Sequence, residues 1–208
     1  MLRQTVTALV ATALLSACSA ISALNSAATP SQSYDLQAPA NAPVARSSLA
    51  RQLVVEVPTA PGGLMTDRIM IRPRPLQAQY LTDGQWASEA PLMMQTLIVR
   101  TLEDSNALRY VGRRPLGSFG DYVLISELTD LQAEAAPDGQ SATIRVRLTA
   151  RLVRESDASV MSTRTFNASA AVPTTQTTDL VDGFNSATQS LLGDLSGWVL
   201  STLGVRVG

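Results

Sequence analysis

Between Ala142 and Arg154 the chain alternates without a break. Ile144, Val146, Leu148, Ala150 and Leu152 take one side; Thr143, Arg145, Arg147, Thr149 and Arg151 take the other. A period of two over this length is a β-strand with one face in the core and one in water. On a helix the same residues would wind leucines and arginines around every side, and no face could be buried. Tyr122–Leu131 reads as a long strand before it and Val160–Val172 as another after it. Pro137-Asp138-Gly139 and the segment Glu155–Ser159 are the turns between them, so the three strands predict an antiparallel meander.

Upstream the signals are shorter. Leu53, Val55 and Val57 alternate in a strand that begins near Arg51 and ends at Pro58. Arg68–Arg72 is a second strand, stopped by Pro73 and Pro75. Gln77–Leu81 and Gln85–Ala87 flank Asp83-Gly84, a dipeptide that favours the positive φ of a tight hairpin, and a turn is expected there. Leu108–Val111 is a short strand and Gly112–Gly120 a loop. Two stretches have helical spacing. Met94, Leu97, Ile98, Thr101 and Leu102 lie on one side of Glu89–Asp104, with Pro91 in the first turn. Leu180, Phe184, Ala187, Leu191, Leu195 and Trp198 form one stripe that stops near Leu203-Gly204. Strand runs around single helices predict an α+β fold: an antiparallel sheet with a long-strand meander and two amphipathic helices packed on one face.

The N-terminus obeys a different logic. Arg3 precedes an apolar run, Val6–Leu15, of about ten residues, too short to span a bilayer of roughly 30 Å and the right size for a signal peptide. It ends in Leu15-Ser16-Ala17-Cys18, which resembles a lipobox. That resemblance implies thioether lipidation of Cys18, cleavage after Ala17 and acylation of the new N-terminus. The thiol is required because sulfur is the nucleophile that accepts the diacylglyceryl group. Ser19, where an aspartate would favour the inner membrane, points to the outer membrane facing the periplasm. Three acyl chains exceed the two needed for stable anchoring. Segment 1–17 is thus the expected signal, 18–50 a lipidated cysteine with a flexible Ser, Ala, Asn and Pro linker, and 51–208 a single periplasmic domain. Tyr34-Asp35-Leu36 is left as either a short strand or a tether contact.

Composition narrows the chemistry. Of the 208 residues none is His or Lys, all 16 basic residues are Arg, and Cys18 is the only cysteine. A Ser-His-Asp triad, an imidazole metal ligand, a Schiff-base lysine and an intramolecular disulfide are all excluded. A net charge of −1 with 4% aromatics gives no nucleic-acid surface. No enzyme, metal or cofactor is expected.

A set of ordered fragments carries a further resemblance. They are Val57-Pro58-Thr59-Ala60-Pro61, Thr66-Asp67-Arg68-Ile69, Tyr80 with Trp86-Ala87, and Pro91-Leu92. Then come Leu102-Glu103-Asp104-Ser105, Val111-Gly112-Arg113-Arg114, Asp121-Tyr122-Val123-Leu124 and Arg145-Val146-Arg147-Leu148. The helix from Asp182-Gly183-Phe184-Asn185 to Trp198-Val199-Leu200 closes the set. Together they resemble the ABC-type transport auxiliary lipoprotein family. The resemblance implies a periplasm-facing outer-membrane lipoprotein. Its implied partners are an Mce-domain protein and the ABC permease and ATPase of the same intermembrane lipid transport system. It supplies no catalytic residues. A lipid-binding periplasmic carrier and an envelope-assembly lipoprotein without a transporter stay open as alternatives, as does a homo-oligomer.

Five arginines are the candidate docking residues: Arg113 and Arg114 in the loop after Gly112, and Arg145, Arg147 and Arg151 in a row on one strand face. Three like charges on one face require solvent or acidic neighbours. They serve either as a solvated surface or as a docking face for an acidic partner, with Glu127 expected to offset part of the charge. Glu127 and Asp130, three apart on a strand, are expected on opposite faces and so form no acid–base pair. Asp67, Arg68 and Trp86 offer either a partner-contact or ligand surface or, the reading preferred here, structural roles, with Asp67 capping or pairing locally and Trp86 packed on a helix. Phe184 and Trp198 are read as core.

Overall fold

The structure is a computed structural model and describes residues 31–117 and 119–207. The expected signal segment 1–17 and Cys18 lie outside the described residues. The elements run β1 (Gln32–Tyr34), β2 (Leu49–Val55), a 3-10 turn (Gly62–Leu64), β3 (Arg68–Arg74) and β4 (Gln77–Trp86). Then follow α1 (Ala90–Asp104), β5 (Leu108–Gly112), β6 (Tyr122–Ala135), β7 (Ala142–Arg154), β8 (Ser159–Val172) and α2 (Thr177–Thr202).

All eight strands join one sheet. β6, β7 and β8 make the antiparallel meander. The other edge of β6 is shared by two strands placed end to end. Leu53–Val55 of β2 run parallel beside Tyr122–Leu124, and Met70–Arg72 of β3 run parallel beside Gln132–Glu134. A bridge from Thr59 to Glu127 lies between the two. β5 adds parallel to β2, whereas β4 adds antiparallel to β3 and carries β1 on its far edge. The sheet is therefore mixed, and mostly antiparallel, inside the expected α+β class.

Two local expectations fail for physical reasons. The turn predicted at Asp83-Gly84 does not form, because β4 is continuous from Gln77 to Trp86. The reversal falls between Arg74 and Gln77, with Leu76 at a φ of 68°. Gly84 serves close approach instead of a turn. A Cβ there would stand 2.8 Å from Thr177 Cγ2 and 3.0 Å from a Tyr34 ring carbon. Asp83 accepts from the Thr177 hydroxyl at 2.8 and 2.9 Å and so ties β4 to the start of α2. The second failure is the parity of β6. Leu128 pairs with Leu148 and Leu131 with Val146, so one extra residue bulges between Leu128 and Asp130. The bulge keeps Leu124 and Leu128 on the same buried side as Leu131 and Ala133. It also brings Glu127, opposite Thr149, and Asp130, opposite Arg147, onto the same outer face. They share a face, contrary to the spacing argument.

Both helices cover the inner face of the sheet. Met93, Met94, Leu97, Ile98 and Leu102 of α1 are buried, as is the α2 stripe from Leu180 to Trp198. Trp86 packs edge-to-face on Phe184 of α2 at 5.3 Å between ring centres. Trp198 packs likewise on Phe166 at 5.6 Å, and its indole N–H donates to Ser162 Oγ at 3.2 Å. These rings are core, as expected, and each such pair adds about 0.5–1.5 kcal/mol beyond its buried area. α2 lies close against the sheet at Gly183. A Cβ there would meet Val172 Cγ2 at 2.5 Å and Ile144 Cγ1 at 2.9 Å.

The compact unit reaches back to Ser33, further than the domain expected from 51 onward. The stretch after β1 is a strap. Leu36 is buried, the Gln37 amide donates to Asn185 Oδ1 at 2.9 Å on α2, and the Ala45 amide donates to the Ser105 carbonyl at 2.8 Å beyond α1. Its low periodicity is that of a linker, yet one leucine and a few backbone donors suffice to seat it. Among the described residues, every fully buried apolar residue of the core lies between Leu36 and Leu200. Ser33–Gly208 is therefore a compact unit with a core of its own.

Candidate docking surface

β7 places Arg145, Arg147 and Arg151 on the outer face because its intervening residues, Val146 to Leu152, are locked under the helices. Among the described residues no helix covers this side. Arg145 is paired: its Nε donates to Glu134 Oε2 at 2.6 Å on the neighbouring β6. Burial works against the Glu134 charge. Hydrogen bonds from Arg145 and Gln132 outweigh it, so the carboxyl is held below its ordinary value. The same bond holds the Arg145 guanidinium above its own. Arg147 lies across from Asp130, and Arg151 across from Ile125. Neither belongs to an ion pair: among the described residues these are Arg51–Asp121, Arg145–Glu134 and Arg154–Asp157. On the β8 side the row is flanked by Ser169, Asn167, Thr165 and Thr163. The Thr149 and Thr165 hydroxyls meet at 2.9 Å. Glu127 is exposed on the same face, opposite Thr149, and makes no salt bridge with the row.

Arg113 and Arg114 are elsewhere. Arg113 Nη2 donates to Thr96 Oγ1 of α1 at 2.6 Å, and the Arg114 carbonyl accepts from the Tyr110 hydroxyl at 2.7 Å. They edge a hollow of about 530 Å3 between α1 and β5 that also takes in Arg100 and Glu103. The hollow opens on the helix side of the sheet. The structure thus groups the three β7 arginines and separates the loop pair from them. Arg68 is also placed by local packing, its guanidinium 4.2 Å from the centre of the Tyr80 ring.

Sequence reasoning missed the pair that organises the far end of β2. Arg51 Nη1 donates to Asp121 Oδ1 at 2.8 Å, and the other carboxylate oxygen accepts from the Gln52 amide at 2.8 Å. The Arg51 hydrogen bond is the larger cause that holds the Asp121 carboxyl below its ordinary value. The two residues are 70 apart in sequence, and no spacing pattern links them. Gln95 was likewise unmarked. It is buried on α1 and donates from Nε2 to the Val55 carbonyl at 2.8 Å, closing the end of β2.

Among the described residues no helix is long and apolar enough to cross a membrane, and no cluster of three His, Cys, Asp or Glu side chains is placed to hold a metal ion. The geometry offers a face for binding. The family model described as ABC-type transport auxiliary lipoprotein component matches residues 34–196. A crystal structure of a Xanthomonas campestris protein is 26% identical and superposes with a TM-score of 0.74 over 83% of this chain and 97% of that one. The crystal structure of an uncharacterized protein, 16% identical, has the same fold at a TM-score of 0.64 over 82% of this chain and 99% of that one. An uncharacterized Bradyrhizobium diazoefficiens protein is 25% identical over 170 residues, which are 80% of this chain. The chain spans only 44% of that relative's length.

Proposed function

The chain belongs to the ABC-type transport auxiliary lipoprotein component family, and we propose that it is the outer-membrane anchor that docks such a transporter from the periplasmic side. Cys18 would carry the acyl chains. The 31–208 unit would hold an Mce-domain protein and, through it, the permease and ATPase of an intermembrane lipid transport system. The family is one of lipoproteins, which supports an envelope location. The action is binding and tethering, with no bond made or broken in a substrate.

The observation that carries this reading is the outer face of β7. Arg147 and Arg151 stand exposed on a face that no helix among the described residues covers, and neither belongs to an ion pair there. Cations on a rigid strand are well placed to steer and register an acidic surface, and such charges govern association rate and specificity more than raw affinity. Arg113 and Arg114 are a second, separate contact point on the helix side.

Two measurements test the proposal. Cys18→Ala should leave the precursor unlipidated and out of outer-membrane fractions; unchanged fractionation sinks the anchor. A pull-down of the lipidated protein with its transporter partners should weaken on Arg147→Glu with Arg151→Glu, and the deficit should shrink at higher salt, which screens the reversed charges. Undiminished capture by the double variant removes the β7 face from the interface.

A further inference from the structure

At the end of the molecule where the β3–β4 and β6–β7 hairpins turn, a cleft of about 340 Å3 opens beside the first turn of α2. Ile71, Pro73 and Leu81 form one wall, Leu180 backs it, and Ala133 and Ala135 lie beneath. The cleft exists because β6 changes composition. Leu124, Leu128 and Leu131 fill the space under the helices, but the same inner row continues as Ala133 and Ala135, facing Ile144 and Ala142. Alanines leave room where leucines would have closed it.

The lining has little to offer a polar ligand. Its polar side chains, Asp138 and Thr175, are at the rim and already engaged: Asp138 Oδ1 accepts from the Gln140 amide at 3.0 Å, and Thr175 Oγ1 donates to the Gly139 carbonyl at 3.5 Å. A polar molecule placed inside would leave its groups unsatisfied. The volume is at the lower end of ligand pockets, which run from about 300 to 1,000 Å3. It suits a single aliphatic chain.

A second hollow, of about 320 Å3, adjoins it. Arg72, Arg74 and Glu134 line it, and Ala135 belongs to both. Arg72 and Arg74 alternate along β3 with Ile71 and Pro73, so one strand presents apolar residues to the cleft and cations to its neighbour. Glu134 is taken by Arg145. Arg72 Nε is buried and has no hydrogen-bond partner among the described residues. An anion in this hollow would meet the guanidiniums of Arg72 and Arg74.

We infer that this end of the domain binds a long-chain aliphatic anion, its chain in the Ala133–Ala135 cleft and its charged head at Arg72 and Arg74. The inference does not rest on the transporter reading. A fatty acid and a lysophospholipid share the chemistry.

The test is titration of the Ser31–Gly208 unit with cis-parinaric acid, followed by fluorescence. Saturable binding is expected, displaced by oleate or by lysophosphatidylglycerol; the stronger displacer names the source of the chain. Inorganic phosphate alone should displace nothing. Ala135→Phe fills the cleft and should weaken the probe about tenfold or more. Arg72→Gln should weaken it about fivefold while leaving displacement of the probe by a neutral alkyl amide, N-dodecylacetamide, unchanged. If Ala135→Phe unfolds the unit, as its thermal melt will show, Ala136→Trp at the rim takes its place. No saturable binding, or equal binding by the wild type and a folded cleft-filled variant, overturns the inference. A unit that binds no probe yet still captures the transporter fails here alone.

Discussion

β7 has two faces built from alternate residues of the same thirteen, and they follow opposite rules. Inward, Ile144, Val146, Leu148, Ala150 and Leu152 are at most 1% exposed and meet α2 and the core. Outward, Arg145, Arg147 and Arg151 are exposed, and among the described residues only Arg145 is paired. The backbone is common to both, so any difference in response to mutation comes from what the side chains touch. The inner face carries the stability. Arg147 and Arg151 on the outer face belong to no ion pair among the described residues, so little of the fold is expected to depend on them.

The inner face is the place to break this contrast first. Leu148 is fully buried, paired with Leu128 on one side and Phe166 on the other. Leu148→Ala removes packed methyl groups and leaves a cavity, at a cost of about 3 kcal/mol within the usual range of about 2–5. Chemical denaturation should show a lower midpoint at unchanged slope. A loss under about 1 kcal/mol would mean that α2 collapses onto the gap. Gly183→Val comes next. Its branched side chain would drive against Val172 and Ile144, where even a Cβ is too close. Overpacking costs about 1–3 kcal/mol, part of it returned by the better helix propensity of valine over glycine. A thermal melt at least several degrees lower is expected, and an unchanged one would show that α2 rides outward freely.

The inner row and both helix stripes were legible in the sequence because periodicity reports burial directly. What periodicity does not report is partnership. Alternation says which way Leu53 and Ile69 face, but not that β2 and β3 lie parallel to β6, since the pattern is the same for either direction. The β6 bulge was hidden for a related reason. Leu128 and Leu131 break the period, and the break reads as the end of a strand unless the partner strand is known. Asp83-Gly84 misled because a glycine needed for contact with Thr177 and Tyr34 has the same one-letter signature as a glycine needed for a turn. Of the candidate residues, the β7 arginines were legible as one group, whereas Arg72 was not. Its significance comes from a buried, unpartnered Nε and from alanines in a different strand.

Acid should act on the outer surface before it acts on the core. Asp121, Glu134 and Asp157 all have carboxyls held below their ordinary values, Asp121 chiefly by Arg51 and Asp157 chiefly by the Ser159 hydroxyl. A carboxyl depressed in the folded state contributes stability that is fully present above its unfolded value. That contribution is lost as pH falls through the folded one. The window therefore lies below about pH 4, given unfolded carboxyl values near 3.9–4.3. With no histidine in the chain, no side chain of ordinary pKa titrates between pH 5 and 7. The melting temperature should be flat across that interval and fall below pH 4. A slope near pH 6 would require a carboxyl pushed up by burial.

The smallest effect is the one that most sharpens the comparison. Arg147 is flanked on its own face by Arg145, two residues away, and Arg151, four away, at a strand rise of about 3.3 Å per residue. The nearer separation, about 7 Å, gives a repulsion of roughly half a kcal/mol in water, and salt near 0.15 M, with a Debye length of about 8 Å, reduces it further. Arg145 is in addition neutralised by Glu134. Arg147→Ala should thus change unfolding free energy by no more than about 0.5 kcal/mol, the usual range for a surface substitution, and in the stabilising direction at low salt. The sign is the informative part. A loss of more than 1 kcal/mol would mean that the guanidinium stem packs on the sheet and the outer face is structural after all. A small gain, together with weaker capture of the transporter, would mean that Arg147 is kept for recognition at a slight cost to the fold.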